Sequence, residues 1–280
     1  MGHHASLSQG GIQAFRKRIY DHFLNHGRSL PWRTTNDPYH IFVSEVMLQQ
    51  TQVDRVIGKY TQFLAAFPAW SSLAEAPFDA VLAVWQGLGY NRRALSLKNA
   101  AAMIMEQYNG ILPSDPDLLA RLPGIGKATA ASIAVFAFNE PVIFVETNIR
   151  SVFIHHFFER ETDVPDAEIL PLVEATLDGE NPRRWYSALM DYGTALKRTH
   201  PNPSRRSLHY QKQSPFTGST RQIRGLILKE LLAEPYLTKK KLTGRIRDPL
   251  GRVPAVLETL CMEGMVTERK KHYRVGKGQP

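Results

Sequence analysis

The chain has 280 residues, of which 43% are apolar and 22% charged, proportions of a soluble globular protein that exclude a disordered or fibrous chain. At about 100 to 200 residues per domain, this length accommodates two compact units or one core with an appendage. The formal charge of +9 favours a polyanionic partner, either nucleic acid or an acidic membrane surface. The longest apolar stretches, such as Ala130 to Phe138, fall well short of the ~20 residues of a membrane span. A single cysteine, Cys261, excludes an internal disulfide. The start, Met1-Gly2-His3-His4, lacks the basic and then apolar regions of a secretory signal, so a cytoplasmic, nucleoid-associated protein is expected.

From Gln13 to about Arg198 apolar residues recur at three- and four-residue spacing with almost no alternating pattern, which predicts an all-α body. Helix starts are marked by Asn36-Asp37-Pro38, Pro77-Phe78-Asp79, Pro113-Ser114-Asp115 and Pro165-Asp166, where a capping side chain or a first-turn proline serves unpaired amides. On a helix, Glu45, Gln49 and Gln52 at i, i+4 and i+7 form one polar stripe, with Phe42, Val43, Val46, Met47 and Val53 apolar elsewhere. A carboxylic acid among such neighbours keeps its proton closer to neutral pH; a solvent-facing helix glutamate is the plainer reading. Leu122-Pro123-Gly124-Ile125-Gly126-Lys127 lies between two helices. Two glycines two apart allow a sharp turn and bring bare amides to an anion, with the next helix pointing its positive end the same way; an ordinary tight turn uses the same residues. Val145-Glu146-Thr147-Asn148-Ile149-Arg150 is a polar run in an apolar context, and Glu146 suits a helix N-terminus.

Between Lys197 and Gly218 the pattern dissolves into Pro, Asn, Ser, Arg and Gln, and an extended linker is expected. Beyond it, Arg221 to Leu232, Leu237 to Ile246 and Val253 to Gly264 read as short helices. Met265-Val266-Thr267 and His272-Tyr273-Arg274-Val275 read as strands flanking the basic tip Glu268-Arg269-Lys270-Lys271. The order resembles a winged helix, a fold that serves either DNA or protein contact. From Thr217 to Pro280 there are 14 Lys and Arg against 6 Asp and Glu, so eight of the nine excess positive charges lie in this tail.

The stretch Leu-Pro-Gly-Ile-Gly-Lys-Ala-Thr-Ala resembles the hairpin of the helix-hairpin-helix DNA glycosylases, which grips DNA backbone without reading sequence. Leu30-Pro31-Trp32-Arg33 and Ser44-Glu45-Val46-Met47-Leu48-Gln49-Gln50-Thr51-Gln52-Val53 are similar to segments of the MutY-type adenine glycosylases and of endonuclease III-like relatives. The likeness covers roughly Ile19 to Lys197. It implies an all-α two-lobed helix-hairpin-helix glycosylase core followed by a winged-helix-like α+β module: a lobe at 36–142, a second from 1–35 plus 143–213, and a basic domain at 217–280. It implies double-stranded DNA as partner, no membrane, a monomer, and excision of a flipped base by hydrolysis of its N-glycosidic bond.

By the resemblance Glu45 is the general acid that protonates the departing base, and Glu146, about twenty residues after the hairpin, supports the sugar cation with Asn148 beside it. The family normally has Asp where Glu146 stands. Gln50 and Tyr90, the latter in Gly87-Leu88-Gly89-Tyr90, match side chains that enter the duplex to fill the space a flipped base leaves; Tyr90 also reads as a core aromatic. Arg33 and Asp191 correspond to the base pocket. DNA contacts fall to Gln49, Gly124, Gly126 and Lys127, and in the linker to Arg205 and Arg206.

Three departures qualify the likeness. Bifunctional relatives carry a nucleophilic lysine where this chain has Ala128, so hydrolysis without efficient strand cleavage is expected. Lys197 stands at the first of four cluster cysteines, and one cysteine in the chain cannot hold a four-cysteine iron-sulfur cluster. No metal is expected at His155, His156 and His200 either; the resemblance allows only a structural monovalent cation at the hairpin. The domain that inspects the opposite base in full MutY-type enzymes is replaced by the winged-helix-like tail. Adenine in a mismatch is the expected base; uracil, thymine or an oxidised pyrimidine opposite guanine is the runner-up, and a non-catalytic winged-helix DNA-binding regulator is a third reading.

Overall fold

The computed structural model describes residues 8–276; the Met1 to His4 start and Lys277 to Pro280 lie outside them. The helices are α1 (Gln9–His26), α2 (Pro38–Leu48), α3 (Val53–Ala66), α4 (Trp70–Glu75), α5 (Phe78–Trp85), α6 (Arg92–Tyr108), α7 (Pro116–Leu119), α8 (Lys127–Phe138), α9 (Thr147–Phe157), α10 (Asp166–Thr176), α11 (Pro182–Thr199) and α12 (Thr220–Ala233). After them come β1 (Leu237–Thr238), α13 (Lys239–Ile246), α14 (Val253–Met262), β2 (Val266–Arg269) and β3 (His272–Val275). None is long and apolar enough to cross a membrane among the described residues.

Local chemistry sets many of the ends. Asp37 accepts from the amides of Tyr39 and His40 and starts α2 at Pro38, and Asp115 caps α7 in the same way. Helices α6 and α8 stop at Asn109 and Asn139, both in the left-handed conformation, which asparagine tolerates better than most residues.

The chain folds into two compact units. The first comprises 1–41, 114–121 and 125–212. Its core joins Phe15 and Ile19 of α1, Ala131 and Val135 of α8, Val152 and Phe153 of α9, and Trp185, Tyr186 and Leu189 of α11. Phe15 packs its ring against Phe153, Phe157 and Trp185. Residues 125–142, expected with the central lobe, fall in this unit, to whose core α8 contributes Ala131 and Val135.

Histidines cluster on the same unit. His155 packs edge to face on His200, and His156 stacks on Tyr192 with its Nε2 3.1 Å from the tyrosine hydroxyl. Burial pushes His156 down to about 4, and His155 and His22 fall below the ordinary value for the same reason. In the folded chain these rings take up protons only at lower pH than in the unfolded chain, where an ordinary histidine does so below about pH 6.5. Stability is therefore expected to fall as pH drops from about 6.5 towards 4, with His156 alone contributing on the order of 1–2 kcal/mol after allowance for its partial exposure. Urea melts at pH 7 and 5 measure this; an H156Q variant with an undiminished pH slope would remove His156 as the cause.

The second unit comprises 42–113, 122–124 and 213–280. Phe42 meets Trp70, and Phe63 meets Trp85, both edge to face; Leu73, Leu82 and Leu97 are fully buried around them. The last segment has the winged-helix-like order expected, with one correction: Leu237 and Thr238 form a strand rather than the start of a helix. That strand pairs antiparallel with β3, and β3 with β2, in the order β1-β3-β2. Lys270 and Lys271, both at positive φ, make the tight turn at the wing tip.

Six ion pairs hold five of the tail's basic side chains to its own acids: Arg224 to Glu263, Lys239 to Glu258, Lys241 to Glu234, Arg245 to Glu230 and Glu234, and Arg252 to Asp248. No such pair involves Arg269, Lys270 or Lys271 among the described residues. The wing tip thus carries three cations that the tail's acids do not neutralise by ion pairing.

Candidate active site

The candidate residues fall on both units and are taken unit by unit. In the first, Glu146 is the N-cap of α9. Its Oε1 accepts from the backbone amides of Asn148 at 2.7 Å and Ile149 at 2.9 Å. Its Oε2 accepts from the Asn148 side-chain amide at 3.2 Å. The helix start therefore holds a carboxylate in one orientation, with an anion where the macrodipole favours one. Two readings of Glu146, helix cap and functional carboxylate, coexist in one geometry.

Helix α11 closes on this pair. Gly193 presents no side chain to Asn148; a Cβ there would overlap the Asn148 carbonyl oxygen and lie 2.9 Å from its carbon and its Cβ. One turn on, Lys197 donates to Asn148 Oδ1 at 2.8 Å. Burial lowers the Lys197 ammonium below the usual lysine range, against a raising effect from Glu146.

Arg33 and Asp191, expected in the base pocket, are joined in an ion-pair node. Asp191, 3% exposed, accepts from both terminal nitrogens of Arg33 and from the amide and Nε of Arg28. These partners hold its carboxyl below the usual range despite burial. Both lone-pair faces of Asp191 are committed here, and what the residue visibly does is anchor the 28–33 segment to α11.

The 198–213 stretch is more ordered than a linker. Ser207 pairs with Val164 in a parallel bridge, and Pro203–Arg206 forms a short 3-10 turn. Arg206, expected to contact DNA, is instead turned inward: its guanidinium donates to the carbonyls of Ile154, Phe158 and Glu159. These are orphan acceptors at the end of α9, and a buried helix end needs such donors. Arg205 is exposed.

In the second unit Glu45 is half-buried on α2 between fully or nearly buried Ser44 and Val46. The polar stripe expected of Glu45, Gln49 and Gln52 is corrected by the structure. Helix α2 ends at Leu48, Gln50 is left-handed (φ 54°) and Gln52 precedes α3. The stop is made by Arg93. Its Nη1 takes the carbonyls of Val46, Met47 and Gln49 at 2.9, 2.8 and 2.6 Å. Its Nη2 takes the Thr51 hydroxyl at 2.8 Å and the Gly89 carbonyl at 3.2 Å.

One guanidinium thus fastens both turns that carry the expected duplex-entering residues, since Tyr90 is also left-handed (φ 47°). Burial lowers Arg93 to about 10. Its guanidinium lies over the rings of Trp85 and Tyr90. The Tyr90 hydroxyl accepts from Arg221 of α12 at 2.8 Å and pairs with Gln213, so Tyr90 is a partly exposed, tethered ring rather than a core aromatic.

At the hairpin Gly124 is doubly required, by φ 79° and by a Cβ position 2.6 Å from the Ser96 Cβ. Its carbonyl accepts from Gln49 Nε2 at 3.4 Å. Gly126 caps α8 with open space around it, and Lys127 and Ala128 are exposed at the helix start. Sequence reasoning missed Arg93, Gly193 and the Lys197 contact. Arg93 carries no local signal, because its acceptors lie up to 47 positions away.

Residues 43–170 match the HhH-GPD superfamily of base excision DNA repair proteins. The adenine DNA glycosylase of Buchnera aphidicola subsp. Baizongia pistaciae is 36% identical over 65% of this chain and 52% of its own length, so the chain spans about half of that relative. The adenine DNA glycosylase of Mycobacterium tuberculosis is 31% identical over 86% of both chains. The solved structure of a thermostable thymine-DNA glycosylase superposes with a TM-score of 0.58 at 25% identity, covering 65% of this chain and 85% of that one. Taken with the capped Glu146, the Gly124 turn and the Gln50 and Tyr90 loops, these likenesses place the chain in the HhH-GPD superfamily of base excision DNA repair proteins, as a relative of the adenine DNA glycosylases.

Proposed function

We propose that the protein hydrolyses the N-glycosidic bond of an adenine flipped out of a mismatched duplex, as a monomer in the cytoplasm, without efficient strand cleavage and without an iron-sulfur cluster. The observation that carries this reading is the Glu146 carboxylate, held by two backbone amides and the Asn148 side chain, in a chain 31% identical to an adenine DNA glycosylase over 86% of each.

In this scheme Glu45 delivers a proton to the leaving purine, and Glu146 stabilises the positive charge growing on the sugar while water enters. No metal takes part. Gln50 and Tyr90 occupy the space of the extruded base, with Gln49 beside the hairpin. Gly124, Gly126 and Lys127 supply backbone amides and charge to a phosphate, and Arg205 and the wing tip add further phosphate contacts. Ala128 offers no amine for a Schiff base, which argues for hydrolysis alone.

Duplexes carrying a panel of mispaired and damaged bases, half of each sample treated with alkali, test the reading. Breaks at adenine that appear only after alkali are expected. Glu146→Gln and Glu45→Gln should each lower the single-turnover rate by about 100-fold or more and leave duplex affinity within a few-fold. Normal turnover in either variant removes that residue's role. The panel includes thymine and uracil opposite guanine, because the thymine-DNA glycosylase likeness makes a pyrimidine the second reading. No breaks from any duplex would instead favour a non-catalytic DNA-binding regulator.

A further inference from the structure

We infer that Lys197 is a positioning residue of the excision reaction, acting through Asn148 on the Glu146 carboxylate; this rests on the role proposed for Glu146. An asparagine side chain is a donor on one side and an acceptor on the other. Here each side meets a partner of one kind: Lys197, which only donates, takes Oδ1 at 2.8 Å, and Glu146 accepts from Nδ2 at 3.2 Å. The three groups form a chain of cation, amide and carboxylate. Such a chain polarises its middle member, so the ammonium strengthens the donor that faces the carboxylate.

The placement of the lysine supports the same conclusion. A lysine on the last turn of a helix ordinarily reaches water or an acid. Lys197 is partly buried, forms no ion pair among the described residues, and directs its hydrogen bond to a neutral amide. Burial disfavours its charge, so the position lowers stability unless the contact serves something else. Helix α11 is shaped to bring it there, because Gly193, one turn earlier, lets the helix backbone press against Asn148. Arg150, the nearby cation on α9, is already bidentate on Asp166 at 2.6 and 2.7 Å and does not substitute for it.

The test compares wild type, K197M, N148A, the double variant and K197R on a duplex that the wild type processes, reading single-turnover rate, duplex Kd and thermal melting separately. K197M should lose about 10- to 30-fold in rate with Kd changed less than about twofold, because the contact acts on the reacting carboxylate rather than on DNA. The double variant should be no slower than N148A by more than about twofold, since residues acting through one another are non-additive. K197R, which keeps a donor and a cation, should recover most of the rate. Where K197M does not fold, K197Q replaces it under the same rules. Unchanged turnover in K197M, or losses that multiply in the double variant, would overturn the role while leaving the proposed function standing. A wild type that excises nothing from the panel overturns that function, and this role with it.

Discussion

Arg93→Met should lower stability by about 3–5 kcal/mol, as expected for removing one member of a buried, multiply bonded charged group, and should weaken both duplex affinity and excision by at least tenfold. The variant strips donors from the carbonyls of Val46, Met47, Gln49 and Gly89 together. Three of these acceptors end α2, and the fourth belongs to the Gly87 to Tyr90 turn. Gln50 and Tyr90 both sit at positive φ, where a non-glycine residue costs of order 1 kcal/mol and persists only if its surroundings impose it. With Arg93 gone, the Gln50 turn loses its shared donor, while the Tyr90 turn keeps the Trp85 bond to Gly89 and the Arg221 and Gln213 contacts of the Tyr90 hydroxyl; both turns loosen, Gln50 more than Tyr90, and under the proposed function both side chains enter a duplex less readily. Arg93→Lys keeps the charge but offers a single nitrogen to acceptors on two separate turns, so an intermediate loss is expected. Urea denaturation and fluorescence-polarisation binding separate the two effects. A methionine variant with wild-type duplex affinity would show that the turns hold themselves.

Gly193→Ala should cost about 2–4 kcal/mol and reduce excision far more than binding. The added methyl meets the Asn148 backbone carbonyl rather than a flexible side chain, so α11 and the start of α9 must separate, and overpacking of this kind is destabilising. The residues displaced are Asn148 and, through it, the Glu146 cap. Gly58→Ala on α3 provides the control: no atom lies within 4 Å of its Cβ position, and removing a helix-interior glycine should stabilise by about 0.5–1 kcal/mol. Melting of the two variants side by side, with single-turnover excision, decides the matter. A Gly193→Ala protein as active as its Gly58 counterpart would show that Asn148 need not be held closely.

The helical body was legible in the sequence because helix periodicity, caps and first-turn prolines are local properties. Asp37 and Asp115 act within a few residues of themselves, and so does the left-handed turn at Gly124, although its close approach to Ser96 is tertiary. Glu146 was legible for the same reason: a carboxylate at the head of α9 bonds the amides two and three residues on. The strand at Leu237 was missed because two residues carry no period, and only pairing with Tyr273 and His272 makes them a strand. The Glu45, Gln49 and Gln52 stripe failed because its premise, an unbroken helix, is decided by Arg93, some forty residues downstream. Arg206 was read as a DNA contact because an arginine in a polar stretch looks solvated, and the α9 end that captures it lies about fifty residues earlier.

The sequence by itself determined a helical DNA glycosylase core, its Gly124 turn, the Glu146 helix cap and a basic tail, since each is written in residues adjacent in the chain. Tertiary structure decided which charges are available for function. Hydrogen bonds and ion pairs form between groups close in space, so only the folded chain shows that Arg206 and Asp191 are committed inward and that much of the tail's charge is paired with its own acids. By the same physics it leaves Arg269, Lys270 and Lys271 without ion pairs among the described residues, and it joins Lys197, placed by sequence only as a missing cysteine, to the amide beside Glu146.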